Sequence, residues 1–456
     1  MLALAGFGMI LTFMVLIMTN RLSAITALLL VPVAFAVLTG FGARMGPMML
    51  EGIKNIAPTG IMLVFAILYF GLMTDAGLFD PVISRIQRVA HGDPLKVIIG
   101  TTLLALFVSL DGDGATTYII VVTAMLPLYR QLGINPLILT CMTMLVGGVM
   151  NILPWGGPTA RVMSALHLDS GQLFNPLIPA MVAGLGWVFF VAWHFGQQER
   201  KRLNSAYKAA QQAVAFGVVA GPLAPEPTEP KEVTGAADAP GLGLSPEDQG
   251  LRRPRLRWAN ALLTLGLMAA LVAGLLPLPV LFMLAFALAS LLNYPNLAQQ
   301  RQRLAAHAGN ALSVAAMVFA AGIFTGILGG THMVDAMAQA FVTLVPASLG
   351  PRFPVLTGLV SAPLTFFMSN DAFYYGILPF FTEAATRFGV PAVAMGKASL
   401  LGQPVHLLSP LVPSTYLLVG LAKVEFAAHQ RFTLRWACGS VLVMLVAALL
   451  LGIVPW

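Results

Sequence analysis

The sequence SLDGDGATTYIIVVTAMLP, residues 109–127, places two aspartates, two glycines and three threonines inside an otherwise apolar region. The apolar runs at 97–110 and 118–128 are each too short to cross a bilayer, since a spanning helix needs about 20 residues. Two short helices joined by a polar turn fit this pattern. The region therefore predicts a re-entrant hairpin whose tip, Asp111–Thr117, lies at membrane depth.

A second stretch repeats the pattern. FMSNDAFYYGILP, residues 367–379, separates two apolar runs by a serine, an asparagine and an aspartate. Each polar tip is followed by a span interrupted with proline and glycine, NILPWGGPTARV at 151–162 and GQPVHLLSPLVPST at 402–415. Corresponding residues of the two copies are 258 positions apart at the tips and 255 apart at the interruptions. Paired interrupted segments in corresponding halves indicate the binding site of a secondary transporter.

The composition agrees with a membrane protein. Of the 456 residues, 58% are hydrophobic and 9% are charged, whereas soluble proteins carry about 25% charged residues. The sequence contains no phosphate loop, nucleophile elbow or zinc helix motif, so neither an enzyme nor an ATP-driven pump is expected. The net charge of +7 comes largely from basic residues in short loops, which predicts no nucleic-acid partner. The fold class is an all-α polytopic membrane protein.

Two halves are expected. Eight continuous apolar segments are candidate spans: 2–19, 22–42, 60–78, 173–196, 259–275, 277–293, 310–330 and 433–454. With the interrupted regions they predict two repeats, 1–198 and 258–456, each with five spans, one re-entrant hairpin and one broken helix. Five spans per repeat give the halves opposite orientations. Outside the segment between the halves, basic residues are divided 10 to 6 in favour of the face assigned to the cytoplasm.

The segment between the halves, 199–257, is the longest hydrophilic stretch. Its opening can extend a helix, but its middle is rich in proline, glycine and acidic residues and cannot bury a core. We expect a disordered cytoplasmic linker.

The tips carry groups that suit a cation, a proton or an anion. A charge at membrane depth costs roughly 2.5–3.5 kcal/mol, so the carboxylates need compensation by a cation or a proton. Carboxylate and hydroxyl oxygens suit a hard cation such as Mg²⁺ or Ca²⁺. We assign metal or proton coupling to Asp111, Asp113 and Asp371, and substrate binding to Thr116, Thr117, Ser369 and Asn370. Asp371 is also expected to cap the helix that follows it, whose first amides can bind an anionic group.

The interrupted spans supply the remaining candidates. Freed backbone groups are tolerated at membrane depth only where they line protein or a cavity. The substrate-binding candidates here are Asn151, Gly156, Gly157, Thr159 and Arg161 in the first span and Gln403, Ser414 and Thr415 in the second. Arg161 either pairs with a substrate carboxylate or extends to the membrane interface. His406 either carries a proton or is a hydrogen-bonded structural histidine.

These motifs resemble those of the citrate–divalent-metal:proton symporter family, a branch of the ion transporter superfamily. The matching stretches are SLDGDGATTYI, MNILPWGGPTAR, MSNDAFYYGILP and GQPVHLLSPLVPSTYLLVG, in this order. The resemblance covers the whole chain except the linker.

The resemblance implies uptake of citrate complexed with a divalent cation of the Mg or Ca type, driven by protons, with no permanently bound cofactor. It also implies a homodimer of inverted repeats in the bacterial plasma (inner) membrane, working by an elevator motion. In the sodium-coupled dicarboxylate relatives both tips read Ser-Asn-Thr. The acidic first tip and the Ser-Asn-Asp of the second tip depart from that pattern and argue against sodium coupling.

Two other functions stay open at this point. One is proton-coupled transport of a different organic anion, such as gluconate or a dicarboxylate. The other is cation/proton antiport without an organic substrate, with Asp111, Asp113 and Asp371 as ion ligands.

Overall fold

The computed structural model describes residues 1–19, 21–90, 93–112, 114–215, 250–343 and 347–456, which are helical apart from short connections. The helices before the linker are α1 (Leu2–Met18), α2 (Ala24–Leu38), α3 (Met45–Asp75), α4 (Asp80–Ala90), α5 (Pro94–Val108), α6 (Gly114–Gln131), α7 (Pro136–Met150), α8 (Gly157–Leu166), α9 (Ser170–Phe174) and α10 (Ile178–Ala215).

The helices after the linker follow nearly the same order of long and short elements. They are α11 (Arg257–Val272), α12 (Leu278–Asn293), α13 (Leu297–Gly330), α14 (Met333–Val342), α15 (Phe353–Phe367), α16 (Leu378–Thr386), α17 (Ala392–Leu400), α18 (Gln403–His406), α19 (Pro413–Ala422) and α20 (Phe426–Leu450). A π-helical turn, Ala372–Ile377, leads into α16.

All eight segments expected to span the membrane are largely helical. Six helical stretches of the described residues are long and apolar enough to cross a bilayer, so the protein is a multi-pass integral membrane protein. Helices α3 and α13 begin well before the apolar segments 60–78 and 310–330. Their N-terminal parts carry polar residues, and a criterion based on hydropathy excludes such residues from a span.

Helices α3 and α13 pack against each other along much of their length and form the centre of the fold. Glycines allow this approach: a Cβ on Gly52 of α3 would lie 2.0 Å from the carbonyl oxygen of Gly322 on α13. In the same way, a Cβ on Gly326 would lie 2.4 Å from the carbonyl oxygen of Met48. Close contact between backbones replaces side-chain interdigitation at this crossing.

The contacts of the two halves are reciprocal. Helix α2 packs on α13 and α12 packs on α3, while α6 packs on α19 and the π-helical turn packs on α8. The second arm of each hairpin therefore contacts the broken helix of the opposite half. This reciprocity is what an internal repeat produces; that the halves are inverted in the membrane, and their number of spans, stay predictions.

Each expected hairpin has a helix on either side of its tip, and its re-entrant course in the membrane stays a prediction. In the first unit, α5 and α6 pack against each other, and α5 is fixed to α10 by an ion pair between Asp93 and Arg200. Hydrogen bonding to the Arg200 guanidinium holds the pKa of the Asp93 carboxyl below its ordinary value, and the Leu95 N–H adds to this effect.

The structure describes both ends of the linker. Helix α10 continues to Ala215, so the opening of the polar segment extends a helix as the sequence allows. The segment 216–249 lies outside the described residues. Where the chain returns, Arg252 pairs with Asp80 at 3.4 Å and the Arg253 N–H donates to the Ala76 carbonyl oxygen at 3.0 Å. The linker boundaries at 199 and 257 stay predictions.

The α3–α13 crossing can be tested with one methyl group. Gly52→Ala should lower the stability of the purified protein by about 1–3 kcal/mol, because the new Cβ meets backbone atoms that cannot move aside. Gly46→Ala, in the same helix with open space around it, should be neutral or stabilising, because alanine favours helix by up to about 1 kcal/mol. Thermal unfolding measures both variants. Equal effects would contradict a backbone-to-backbone contact.

Candidate functional site

The first hairpin tip turns sharply at a glycine. Helix α5 passes into a 3₁₀ turn, Ser109–Asp111, and Gly112 then adopts φ +75°, a left-handed conformation that favours glycine. A Cβ at Gly112 would lie 2.8 Å from the indole ring of Trp155, so space and backbone both require glycine here. Asp111 is buried, and Asp113 lies outside the described residues.

The second tip is capped by a different residue from the one expected. Ser369 Oγ accepts a hydrogen bond from the Ala372 N–H at 3.2 Å. Asp371 lies in the first turn of the helix and makes no capping hydrogen bond, so its expected role as the cap was wrong. The serine satisfies the free amide and leaves the aspartate side chain available for another contact.

The two broken helices are closed in the same way. Thr159 donates its hydroxyl to the carbonyl oxygen of Ile152 at 2.7 Å, and Thr415 donates to that of Leu407 at 2.6 Å. Both threonines are fully buried. Each hydroxyl satisfies a carbonyl that the break leaves without a helical partner. Thr159 and Thr415 therefore hold the site together.

Each break is also bound to the hairpin of its own half. Trp155 Nε1 donates to the Leu110 carbonyl oxygen at 2.9 Å. In the second half, the Thr365 carbonyl oxygen lies 2.7 Å from His406 Nδ1 and the Phe366 carbonyl oxygen lies 2.7 Å from Ser409 Oγ. Because a carbonyl can only accept, His406 Nδ1 carries a proton. The neutral imidazole then has its lone pair on Nε2.

Gln403 joins the two halves at the centre. Its side-chain oxygen accepts from Asn151 Nδ2 at 3.1 Å, and its side-chain nitrogen donates to the Tyr374 hydroxyl at 2.7 Å. The same nitrogen donates to Asn370 Oδ1 at 3.2 Å. Gln403 is fully buried and does not line the cavity, whereas Asn151 and Asn370 do. Its hydrogen bonds therefore fix the orientations of these two asparagines.

A second link between the halves is ionic. Arg161 Nε, on α8, lies 2.6 Å from Asp371 Oδ1, on the second tip. The side chains are 22% and 12% exposed, respectively. The guanidinium therefore pairs with a carboxylate inside the protein.

A cavity of about 210 Å³ lies where the two tips and the two breaks meet. Seven expected site residues line it: Thr117, Asn151, Gly157, Arg161, Asn370, His406 and Ser414. The other described candidates do not line the cavity: Asp111, Thr116, Gly156, Thr159, Ser369, Asp371, Gln403 and Thr415.

Some lining residues escaped the sequence reasoning. Ser109 and Tyr118, inside the first motif, and Gly147, one turn before the first break, also line the cavity. Helical spacing from Gly114 and Asn151 places Tyr118 and Gly147 on the same faces, so periodicity carried a signal for both. Tyr374 accepts a hydrogen bond from Gln403. In the sequence, only its position one helical turn after Asn370 indicated that it lies near the site.

Comparison with known proteins identifies the family. The sequence profile of the citrate transporter family matches residues 13–402. Two relatives come from Bacillus subtilis (strain 168). A citrate transporter is 56% identical over the full length of both chains, and a Mg(2+)/citrate complex secondary transporter is 48% identical over 99% of both.

A solved structure supports the fold. The YdaH transporter of Alcanivorax borkumensis superposes with a TM-score of 0.61, at 16% identity, over 91% of this chain and 89% of that one. At this identity the likeness concerns the fold alone. The family match covers most of the chain and the two Bacillus relatives cover nearly all of it, so the protein belongs to the citrate transporter family, whose members are transporters and not enzymes.

Proposed function

We propose that this protein is a secondary active transporter that takes up citrate complexed with a divalent cation, together with protons. The observation that carries the proposal is the cavity between the two hairpin tips and the two broken helices, with Arg161 in its lining. A relative with 48% identity bears the name of a Mg(2+)/citrate complex secondary transporter.

The cavity suits an anion because helix N-termini converge on it. Gly114 begins α6, Gly157 begins α8 and Ser414 lies in the first turn of α19. Asn370 begins the helical segment after the second tip. Each N-terminus carries a partial positive charge, so four of them favour a polycarboxylate without many basic side chains.

The cavity lining has few basic side chains, and this suits a substrate of low net negative charge. Free citrate carries about three negative charges near neutral pH, because carboxyl groups have pKa values near 4. A bound divalent cation reduces this charge to about one. Hydroxyl and amide oxygens from Ser109, Thr117, Asn151 and Ser414 can complete the oxygen shell of such a cation, which arrives as part of the substrate.

Proton coupling belongs to the same site in this proposal. His406 lines the cavity with its Nδ1 hydrogen committed to the Thr365 carbonyl, so a further proton would enter at Nε2. Asp111, Asp113 and Asp371 are the carboxylates of the two tips. The pH dependence of citrate uptake in variants of these residues identifies the group that takes each proton.

The packing supports an elevator motion. Each break is hydrogen-bonded to its own hairpin, and Gln403 and the Arg161–Asp371 pair join the two halves of the site. These parts can move together as one body. The glycine-lined crossing of α3 and α13 provides a rigid counterpart. We expect a homodimer in the bacterial plasma membrane, as in the related dicarboxylate transporters.

Uptake of labelled citrate into proteoliposomes tests the proposal. With Mg²⁺ or Ca²⁺ in excess over citrate, the initial rate should exceed the rate in a chelator by at least about tenfold, because complexation removes two charges that the site would have to compensate. Equal rates would indicate a carrier of free organic anions. Cation-driven proton movement without citrate uptake would indicate an antiporter.

Gln403 provides a test of the site's architecture. Gln403→Leu should cost about 1–3 kcal/mol of stability, because the buried Tyr374 hydroxyl and the Asn151 amide lose a partner. It should also weaken citrate binding, since Asn151 and Asn370 line the cavity and are oriented by this side chain. Thermal unfolding and apparent affinity measure the two effects.

The matched control is Gln299→Leu, at an exposed position near the start of α13. It should change neither quantity measurably. A Gln403→Leu variant with unchanged affinity would show that Asn151 and Asn370 do not depend on this glutamine.

A further inference from the structure

The Arg161–Asp371 pair has an asymmetric geometry. Asp371 Oδ1 engages the guanidinium at Nε, along its side. The terminal nitrogens make no other hydrogen bond to a described residue, and Arg161 lines the cavity while Asp371 does not. A Cβ on Gly157 would lie 2.8 Å from Arg161 Nη1, so the glycine leaves room for this rotamer. The carboxylate thus holds the arginine with its bidentate donor edge available to a ligand.

The electrostatic environment of the pair can be given for the described residues. Among them, the other titratable groups that interact with the pair are Tyr374 and Tyr375, on the same segment as Asp371, and His406 on α18. Helix α1 and residues 308–330 of α13, which also pack here, carry no titratable side chain, whereas α3, α16 and α17, which pack on α8, carry Glu51, Glu383 and Lys397. Of the described carboxylates, Asp371 is the one that pairs with Arg161 and compensates its charge.

We propose that Asp371 determines which charge form of citrate the site binds. It positions Arg161 and, by compensating the charge of the guanidinium, makes the site select metal-complexed citrate over free citrate. This inference rests on the proposed function and assigns the selectivity to one residue. An uncompensated arginine in a buried cavity would favour the more highly charged anion. The neighbouring carboxylate opposes each additional negative charge that enters.

The size of the effect follows from the charge difference between the two ligands. Free citrate carries about two more negative charges than its metal complex, and both ligands would lie beside the same carboxylate. Near a protein surface, unit charges a few ångströms apart change affinity by at least about tenfold. Removal of the Asp371 charge should therefore change the ratio of the two affinities by about tenfold or more.

The experiment uses the full chain in proteoliposomes. Asp371→Asn keeps the shape and removes the charge, and the apparent affinity for citrate is measured in chelator and in excess Mg²⁺. The preference for the complex should fall by about tenfold or more, mainly because free citrate binds more tightly. Asp371→Glu, which keeps the charge, should retain most of the preference.

Asp169→Asn is the matched control, because Asp169 caps α9 away from the cavity and asparagine caps equally well. It should leave the affinity ratio unchanged. If Asp371→Asn does not insert, Asp371→Ser provides a second neutral variant with the same expectation. A role limited to folding would lower the amount of active carrier and would not change the ratio.

Two results would overturn the inference. One is an unchanged ratio in both neutral variants. The other is a loss of affinity for the complex with free citrate unaffected, which would make Asp371 a direct partner of the cation. Failure of the proposed function is visible separately, since the unaltered protein would then show no citrate uptake or no preference for the complex.

Discussion

Every break in a membrane helix frees backbone groups that lipid cannot satisfy, and this constraint organises the protein. The two broken helices leave carbonyls and amides free at the centre of the fold. Thr159 and Thr415 satisfy one carbonyl in each break, and Trp155 and His406 bind carbonyls of the adjoining hairpins. The helix starts that follow the breaks line the cavity at Gly157 and Ser414. The same breaks thus supply the helix N-termini on which the proposed binding of an anion depends.

Arg161 and Asp371 balance each other's charge within the protein before any ligand arrives. Arg161 and Asp371 come from opposite halves and lie 2.6 Å apart, so neither stays uncompensated in a medium of low dielectric constant. A site built on a neutral pair and on helix dipoles suits cargo of low net charge. The pair also joins the broken helix of one half to the hairpin of the other. In the proposed function, recognition of the substrate and the connection between the halves therefore depend on the same contact.

The sequence predicted the local features of the site and missed the contacts between its halves. Glycine, proline and acidic residues inside apolar runs identified both tips and both breaks, because such residues are costly in lipid unless they have a function. Seven expected residues line the cavity. Nothing in the sequence paired Arg161 with Asp371, 210 positions away, or Gln403 with Asn151, 252 positions away. Single-sequence patterns report periodicity and local chemistry, whereas such pairings depend on how the halves dock. The capping role of Ser369 was missed for a smaller reason, since Ser369 and Asp371 both cap well and lie two positions apart.

The distribution of small and polar residues separates a rigid part from a part that can change its contacts. At the crossing of α3 and α13, glycines bring backbones so close that even one methyl group meets a carbonyl oxygen. Such an interface does not slide easily, because any displacement brings atoms into overlap. Around the cavity, by contrast, the two halves meet through the amide groups of Gln403 and Asn151 and through one ion pair. Hydrogen bonds and ion pairs can be exchanged for contacts with a ligand at little net cost, because each group finds a new partner. A transporter must bind and release its cargo while its core stays folded. The rigid helix crossing keeps the core folded, and the exchangeable polar contacts around the cavity allow binding and release.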